Sequence, residues 1–229
     1  IPLLGVNHLE SHMYAPFLCG AKVSFPFIAL IVSGGHTSLY LVKDFDRFTL
    51  LGATNDDACG EAFDKVAKIL GLGYPGGPVI EKRARLGDRS KIAFKCSGTH
   101  AAFDFSYSGI KTAVLYYVQK QKKFGVLPAQ LVNDICASFQ EAALDVLVHK
   151  SLLACKKYGI SRMVIGGGVA ANSVLRNKLQ VHARQEKVTV LFPDKALCMD
   201  NAAMVAGMGF ELSKRNKRSD LFLTACSYS

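Results

Sequence analysis

Tryptophan is absent from these 229 residues, so any core must be built from aliphatic side chains, Phe and Tyr. No apolar run is long enough to span a bilayer. The longest covers residues 25–32, well short of the roughly 20 residues a membrane helix requires. No charged-then-apolar leader opens the chain, which gives no sign of secretion. The seven cysteines, Cys19, Cys59, Cys96, Cys136, Cys155, Cys198 and Cys226, are odd in number and include no C-x-x-C pair. A disulfide framework and a cysteine-rich zinc site are thereby disfavoured, and a cytoplasmic location is expected. Neither glycine-rich stretch fits the Walker pattern G-x-x-x-x-G-K-[ST] or the dinucleotide pattern G-x-G-x-x-G. There is no internal repeat and no low-complexity linker.

What is present is half hydrophobic and strongly basic, with a net charge of +10. Such a balance suits an anionic partner as well as a merely solvated surface. The basic residues cluster at Lys82-Arg83-x-Arg85, Lys120-x-Lys122-Lys123, Lys156-Lys157 and Lys214-Arg215-x-Lys217-Arg218. The length fits one large α/β domain or two small ones.

Residues 1–6 read as a short strand. Asn7 is placed to cap a helix, with Glu10 completing a capping box. The apolar run 27–32, the turn Ser33-Gly34-Gly35-His36-Thr37 and residues 38–42 read as a hairpin, with a third strand near 48–51. A helix capped by Asp56 or Asp57 should run through Leu70, followed by the breaker Gly71-Leu72-Gly73-Tyr74-Pro75-Gly76-Gly77-Pro78 and another helix to about Leu86. Residues 87–102 look irregular. Helices are expected from Ser108 to Gln121 and from Pro128 to Tyr158, then strand 162–165, a helix to about Glu186, strand 188–192 and a last helix 201–214. The basic tail from Asn216 is expected to be loosely held.

His8 and His12 stand four residues apart in Asn-His-Leu-Glu-Ser-His, so on a helix both imidazoles share a face and can reach one metal ion. That spacing alone suits a surface pair equally well. A third ligand is needed, and Asp200 in Cys-Met-Asp-Asn-Ala-Ala-Met is a candidate. The Ser33-Gly34-Gly35 and Gly166-Gly167-Gly168 turns both lie at strand ends, where backbone amides can approach a phosphate. Tight turns and close helix packing explain the same glycines. Asp64 could accept from ribose hydroxyls or be a solvated carboxylate; Asn172 could meet a base or cap its helix. Glu61 and Lys65 form an i, i+4 ion pair, and His36 could polarise a ligand or satisfy a carbonyl.

The order of motifs is more specific than any one of them. Asn7–His12, Ser33–Thr37, Asp56–Lys65, Tyr74–Pro78, Phe105–Thr112, Gly167–Asn172 and Asp200–Met204 together resemble the TsaD family, the catalytic subunit of tRNA N6-adenosine threonylcarbamoyl transfer, over about residues 6–207. The resemblance implies an actin/Hsp70-like fold of two RNase H-like lobes: residues 1–107 would be the remainder of a first lobe truncated at its start, and residues 108–229 the second. It implies transfer of threonylcarbamoyl from threonylcarbamoyl-AMP to N6 of the adenosine 3′ of the anticodon in tRNAs reading ANN codons. It implies His8, His12 and Asp200 as ligands of one divalent metal, Fe2+ ahead of Zn2+. The adenylate would lie against Ile31, Val32, Ser33, Gly34 and Gly35, with Asp64, Gly77, Glu81 and Asn172 holding ribose and adenine. The implied partners are tRNA, a paralogous subunit and a small ATPase, with no membrane.

Two departures accompany the resemblance. The family's opening segment, with its first phosphate loop, is not in the sequence, so the polypeptide alone is expected to be impaired. Ser11 stands where glycine is usual. Rival readings are a metallopeptidase, an ATPase or sugar kinase on the same fold, and a non-catalytic scaffold. The first is disfavoured because Glu10 does not follow His8 directly, as a zincin base would.

Overall fold

The computed structural model describes residues 3–20, 23–96 and 98–225. Five strands form one sheet in the order β3-β2-β1-β4-β5. Its first strands are β1 (Phe27–Val32), β2 (Thr37–Asp44) and β3 (Arg47–Ala53), the last two β4 (Arg162–Gly166) and β5 (Thr189–Leu191). β1, β2 and β3 pair antiparallel as a meander, whereas β1–β4 and β4–β5 are parallel. β1 is buried at all six positions, as expected of an unbroken apolar run in the middle of a sheet.

Seven α-helices, with three short 3-10 turns, complete the described fold: α1 (His8–Tyr14), α2 (Cys59–Leu70), α3 (Gly76–Ala84), α4 (Ser108–Lys122), α5 (Ala129–Tyr158), α6 (Ser173–Gln185) and α7 (Ala202–Lys214). The larger core joins one sheet face to α2–α6, with Phe63, Phe105, Tyr107, Phe139 and Ile135 fully buried. The smaller core, with Met13, Phe27, Ala29, Ile31, Tyr40, Val42 and Val164, seats α1 on the opposite face. Each such large apolar side chain taken from water contributes about 1.5–3 kcal/mol before conformational entropy is subtracted. Among the described residues no helix is long and apolar enough to cross a membrane.

Two expectations need correction. Of the expected strand 1–6, Ile1 and Pro2 lie outside the described residues, Leu3 makes a single bridge to Ser219 and residues 4–6 join no strand. That bridge also anchors the start of the tail, while Cys226 and the residues after it lie outside the described set. The sheet draws on both sides of position 107, β1–β3 preceding it and β4–β5 following it. The parallel pairing of β1 with β4 brings the two stretches into a common layer. Neither Asp56 nor Asp57 caps α2, whose N-cap is Ala58. Both carboxylates are engaged elsewhere. Asp56 accepts from the Ser106 and Ser108 hydroxyls and the amides of Tyr107 and Ser108; Asp57 pairs with Lys65 and Lys111.

Candidate metal centre

The parallel strands β1 and β4 end side by side, and the candidate site is assembled at their carboxyl ends, where open α/β sheets commonly place ligands. Two glycines permit the assembly. Gly167 takes a φ of +91°, and its Cα lies against the Val32 carbonyl with no room for a Cβ. Gly166 abuts the His12 carbonyl in the same way, which lets α1 settle directly on the strand end. The second glycine turn and the histidine helix thus touch.

Asn7 caps α1, its Oδ1 accepting from the Leu9 and Glu10 amides at 2.8 and 3.3 Å. Glu10 does not complete the expected box. It turns, half-buried, into a cavity lined also by Asn7, Gly35, His36 and Asp56, and burial raises its carboxyl above the ordinary value. His8 and His12 therefore point the other way, with ring centroids 4.8 Å apart and planes nearly perpendicular.

Asp200 comes from the loop before α7. Asn201 fixes that loop: its Oδ1 accepts from the Met204 amide at 2.9 Å, and its Nδ2 donates to the Leu197 and Met199 carbonyls. Arg176 holds the preceding segment, donating to the Ala170 and Pro193 carbonyls at 2.7 and 2.6 Å and to the Cys198 sulfur at 3.2 Å. The result is convergence across 188 positions of sequence. Asp200 Oδ1 lies 3.0 Å from His12 Nε2 and 3.3 Å from His8 Nε2, and one donor atom from each residue falls within 4.8 Å of the others.

Those separations fit a common cation. Two donors about 2.1 Å from one ion are about 3.0 Å apart at a right angle and about 3.4 Å apart at a tetrahedral angle. Two imidazole nitrogens and one carboxylate oxygen suit a divalent transition metal. His12 is fully buried and its Nδ1 has no partner among the described residues. Burial, then the neighbouring His8, lowers its pKa against the opposing pull of Asp200, which favours the neutral imidazole that can ligate. The Asp200 side chain is 75% exposed, so the corner opens to solvent on that side.

The other expected site residues are linked by hydrogen bonds rather than converging on open space. Ser33 closes its turn with His36, and its carbonyl accepts from the Gly60 amide at the start of α2. Asp64 Oδ1 accepts from the Gly76 amide at 2.7 Å, and Asp64 lines a surface cavity with Glu61, Lys65, Lys68 and Tyr74. Gly77 follows on the first turn of α3, with open space where a Cβ would stand. Glu81 accepts from the Ser173 amide and hydroxyl, and Asn172 caps α6 while donating to Gln140 Oε1 at 3.0 Å. Ile31 and Val32 are fully buried at the end of β1 and offer no exposed side chain.

The structure also assigns roles to further residues. Arg176 and Asn201 position the Asp200 loop; nothing in its spacing marks Arg176, whereas Asn201 stands in the Asp200–Met204 motif and caps α7. Asp57 bridges Lys65 and Lys111 at 2.6 and 2.7 Å. Burial works to raise its carboxyl, but the hydrogen bonds and charges of Lys111 and Lys65 outweigh it and hold the group below its ordinary value. Lys111 falls in the Phe105–Thr112 motif, which is the sequence signal for this link, whereas the local reading of Asp56 or Asp57 as a helix cap hides it.

The family profile described as "TsaD: tRNA N6-adenosine threonylcarbamoyltransferase" matches residues 1–207. A curated protein of that name from Thermodesulfovibrio yellowstonii is 48% identical over 228 residues, covering 99% of this chain and 68% of the relative. One from Dictyoglomus turgidum is 48% identical, covering 98% and 66%, and one from Geobacter metallireducens is 51% identical, covering 93% and 62%. The chain thus spans about two thirds of the length of these relatives. Among solved structures, full-length HypF in its phosphate- and nucleotide-bound form superposes with a TM-score of 0.68 at 14% identity, covering 92% of this chain and 36% of HypF. That likeness shows a shared mixed α/β fold.

Proposed function

The chain belongs to the TsaD family, and from that premise we propose that it carries the metal centre and part of the adenylate site of a tRNA N6-adenosine threonylcarbamoyltransferase. The reaction is transfer of threonylcarbamoyl from threonylcarbamoyl-AMP to N6 of the adenosine 3′ of the anticodon in tRNAs reading ANN codons. The observation that carries this reading is the meeting of His8, His12 and Asp200 beside two glycine turns.

The donor is a mixed carbamic-phosphoric anhydride, so AMP is a good leaving group. The acceptor amine is poor, because its lone pair is delocalised into the purine. A divalent metal, Fe2+ ahead of Zn2+, would supply Lewis-acid stabilisation of developing negative charge when held by His8, His12 and Asp200. The remaining roles fall to the chain itself. Amides of Gly34 and Gly35 would steady the adenylate phosphate, in a turn that Ser33 closes by donating its own amide to the His36 carbonyl, with Ile31 and Val32 as the rigid strand beneath. Asp64 Oδ1 is occupied by the Gly76 amide, which leaves Oδ2 for the ribose hydroxyls. Gly77 leaves open space for the adenine, and Glu81 and Asn172 hold the wall behind it through Ser173 and Gln140. A paralogous subunit and a small ATPase are the proposed partners, in the cytoplasm.

The test is mass spectrometry of nucleosides from unmodified tRNA incubated with the chain, its partners and threonylcarbamoyl-AMP, alongside metal analysis of the purified protein. Modified adenosine with bound iron or zinc, both lost in His12→Ala, is the expected result. Stoichiometric metal with no transfer under any partner combination would sink the catalytic reading.

A further inference from the structure

The lysines of the second basic cluster have no carboxylate beside them. The fourth cluster shows the usual arrangement: Lys214 and Arg215 pair with Glu211, Arg215 also with Asp44, and Lys217 with Asp46. Lys120, Lys122 and Lys123 are exposed and make no ion pair among the described residues. Residues 105–133 contain no Asp or Glu at all. The positive charge on this part of the surface is therefore uncompensated.

Helical geometry arranges it. α4 buries Ile110, Val114 and Val118 against the core. At 100° per residue, Tyr116, Lys120 and Lys123 fall within about 60° of one another on the opposite side. The Tyr116 ring is exposed, at 65%, and Phe124 is 83% exposed immediately beyond the lysines. Nothing in the core explains two large aromatics presented to solvent beside three unpaired cations. At the other end, Asp56 takes the Ser108 amide and hydroxyl at the start of α4, and Asp56 lines the same cavity as Gly35, His36 and Glu10. α4 thus begins beside the Gly35 turn proposed to hold the adenylate and carries its charge about 22 Å away along 15 residues.

We infer that the outer face of α4, with Tyr116, Lys120 and Lys123 and the adjoining Phe124, is a docking surface for the RNA substrate. This rests on the functional reading above and says which face holds the nucleic acid. Lysines in an acid-free stripe complement a phosphate backbone, and exposed rings offer a stacking platform for an unpaired base. The length of α4 suits a ligand whose reacting base enters the site while its flanking backbone lies along the helix.

The experiment is fluorescence anisotropy with a labelled, unmodified anticodon stem–loop RNA, titrated with the full chain across a salt series. Lys120→Glu/Lys123→Glu should weaken binding about tenfold or more and flatten the salt dependence by about two phosphate contacts. Tyr116→Ala should weaken binding about fivefold with the salt dependence unchanged. Lys156→Glu/Lys157→Glu, with the same change in net charge, should do much less. If the α4 reversal fails to fold by circular dichroism, Lys120→Ala/Lys123→Ala is read in its place. Unchanged affinity and slope in the α4 variants overturn the inference, as does an equal loss in the Lys156/Lys157 control. Capture of phosphatidylserine vesicles that needs Lys120 and Lys123, with RNA binding unaltered by their loss, overturns it in favour of a membrane. Failure of the wild-type chain to bind the stem–loop at all would instead bring down the functional reading.

Discussion

The metal corner and the glycine-lined cradle beside it are built on opposite plans. In the corner the polar atoms face one another: both imidazoles share one carboxylate oxygen, and the buried His12 Nδ1 has no partner among the described residues. In the cradle nearly every side chain already has structural employment. Asp64 holds the Gly76 amide, Glu81 holds Ser173, and Asn172 caps a helix and donates to Gln140. Side chains that satisfy only each other await a ligand, while side chains bonded to backbone maintain the walls. Substitution should therefore separate the two regions: ligand affinity should fall in the corner and fold stability in the cradle.

The largest effect expected is on metal affinity. Replacing even the residues that support a metal ligand commonly costs 10–100-fold, so loss of a ligand itself should cost at least about 100-fold. Asp200→Ala is the cleaner variant, because its side chain is exposed and its removal leaves no cavity. Competition against a chromogenic chelator measures the affinity, and a thermal melt of the metal-free variant should stay near wild type. Equal metal affinity in Asp200→Ala would remove the corner from the mechanism.

Asn172→Ala should do the reverse. It removes an N-cap for the Val174 and Leu175 amides and strands the buried Gln140 oxygen, at a cost of about 1–2 kcal/mol. Denaturant unfolding reads this directly, and metal affinity should be unchanged. A stable Asn172→Ala chain with impaired adenylate binding would show that the cradle, too, holds side chains reserved for ligand.

The pH response sharpens the comparison further. Burial lowers the His12 pKa below its ordinary 6.5, so the unfolded chain binds more protons between 6.5 and the folded value. The stability contributed by neutral His12 is complete above about pH 6.5 and is lost as pH falls toward the folded pKa. Melts of metal-free protein from pH 7.5 to 5 should show this decline, and His12→Gln should flatten it. An unchanged decline in His12→Gln would assign it to other groups.

The contrast between the regions also explains what the sequence revealed. Helices α4–α7 were legible to within a few residues, because their caps and apolar spacing are local. The histidine pair was legible for the same reason. Asp200 was not, since only folding brings it within 3.0 Å of His12, and the order of motifs had to stand in for distance. The single sheet was hidden as well. β1 and β4 pair in parallel across a stretch holding α2–α5, and no local pattern encodes so remote a partnership. Asp56 and Asp57 misled because a carboxylate before a helix resembles a cap, whereas residues 106–111 claim both of them. Arg176 supports that loop through bonds to the Ala170 and Pro193 carbonyls, which sequence spacing cannot mark, whereas the Asn201 cap is local to its motif.

The smallest effect tests whether structural employment is graded by burial within the cradle itself. Lys65 reaches two carboxylates, Glu61 at 2.8 Å and Asp57 at 2.6 Å. Glu61 is a half-exposed i, i+4 partner, and water screens such a pair to about 0.3–0.5 kcal/mol. Asp57 is largely buried and also holds Lys111, so Asp57→Asn leaves Lys111 without its counter-ion and Lys65 with Glu61 alone, and should cost about 1–3 kcal/mol. Glu61→Gln should be barely distinguishable from wild type in denaturant, and its small deficit should vanish in 1 M salt, where the Debye length is about 3 Å. The Asp57→Asn deficit should persist there, because the Asp57 carboxylate itself is largely out of solvent. If both deficits disappeared together in salt, Asp57 would be one more surface charge, and the tie it makes between α2 and α4 would not be what keeps the cradle in shape.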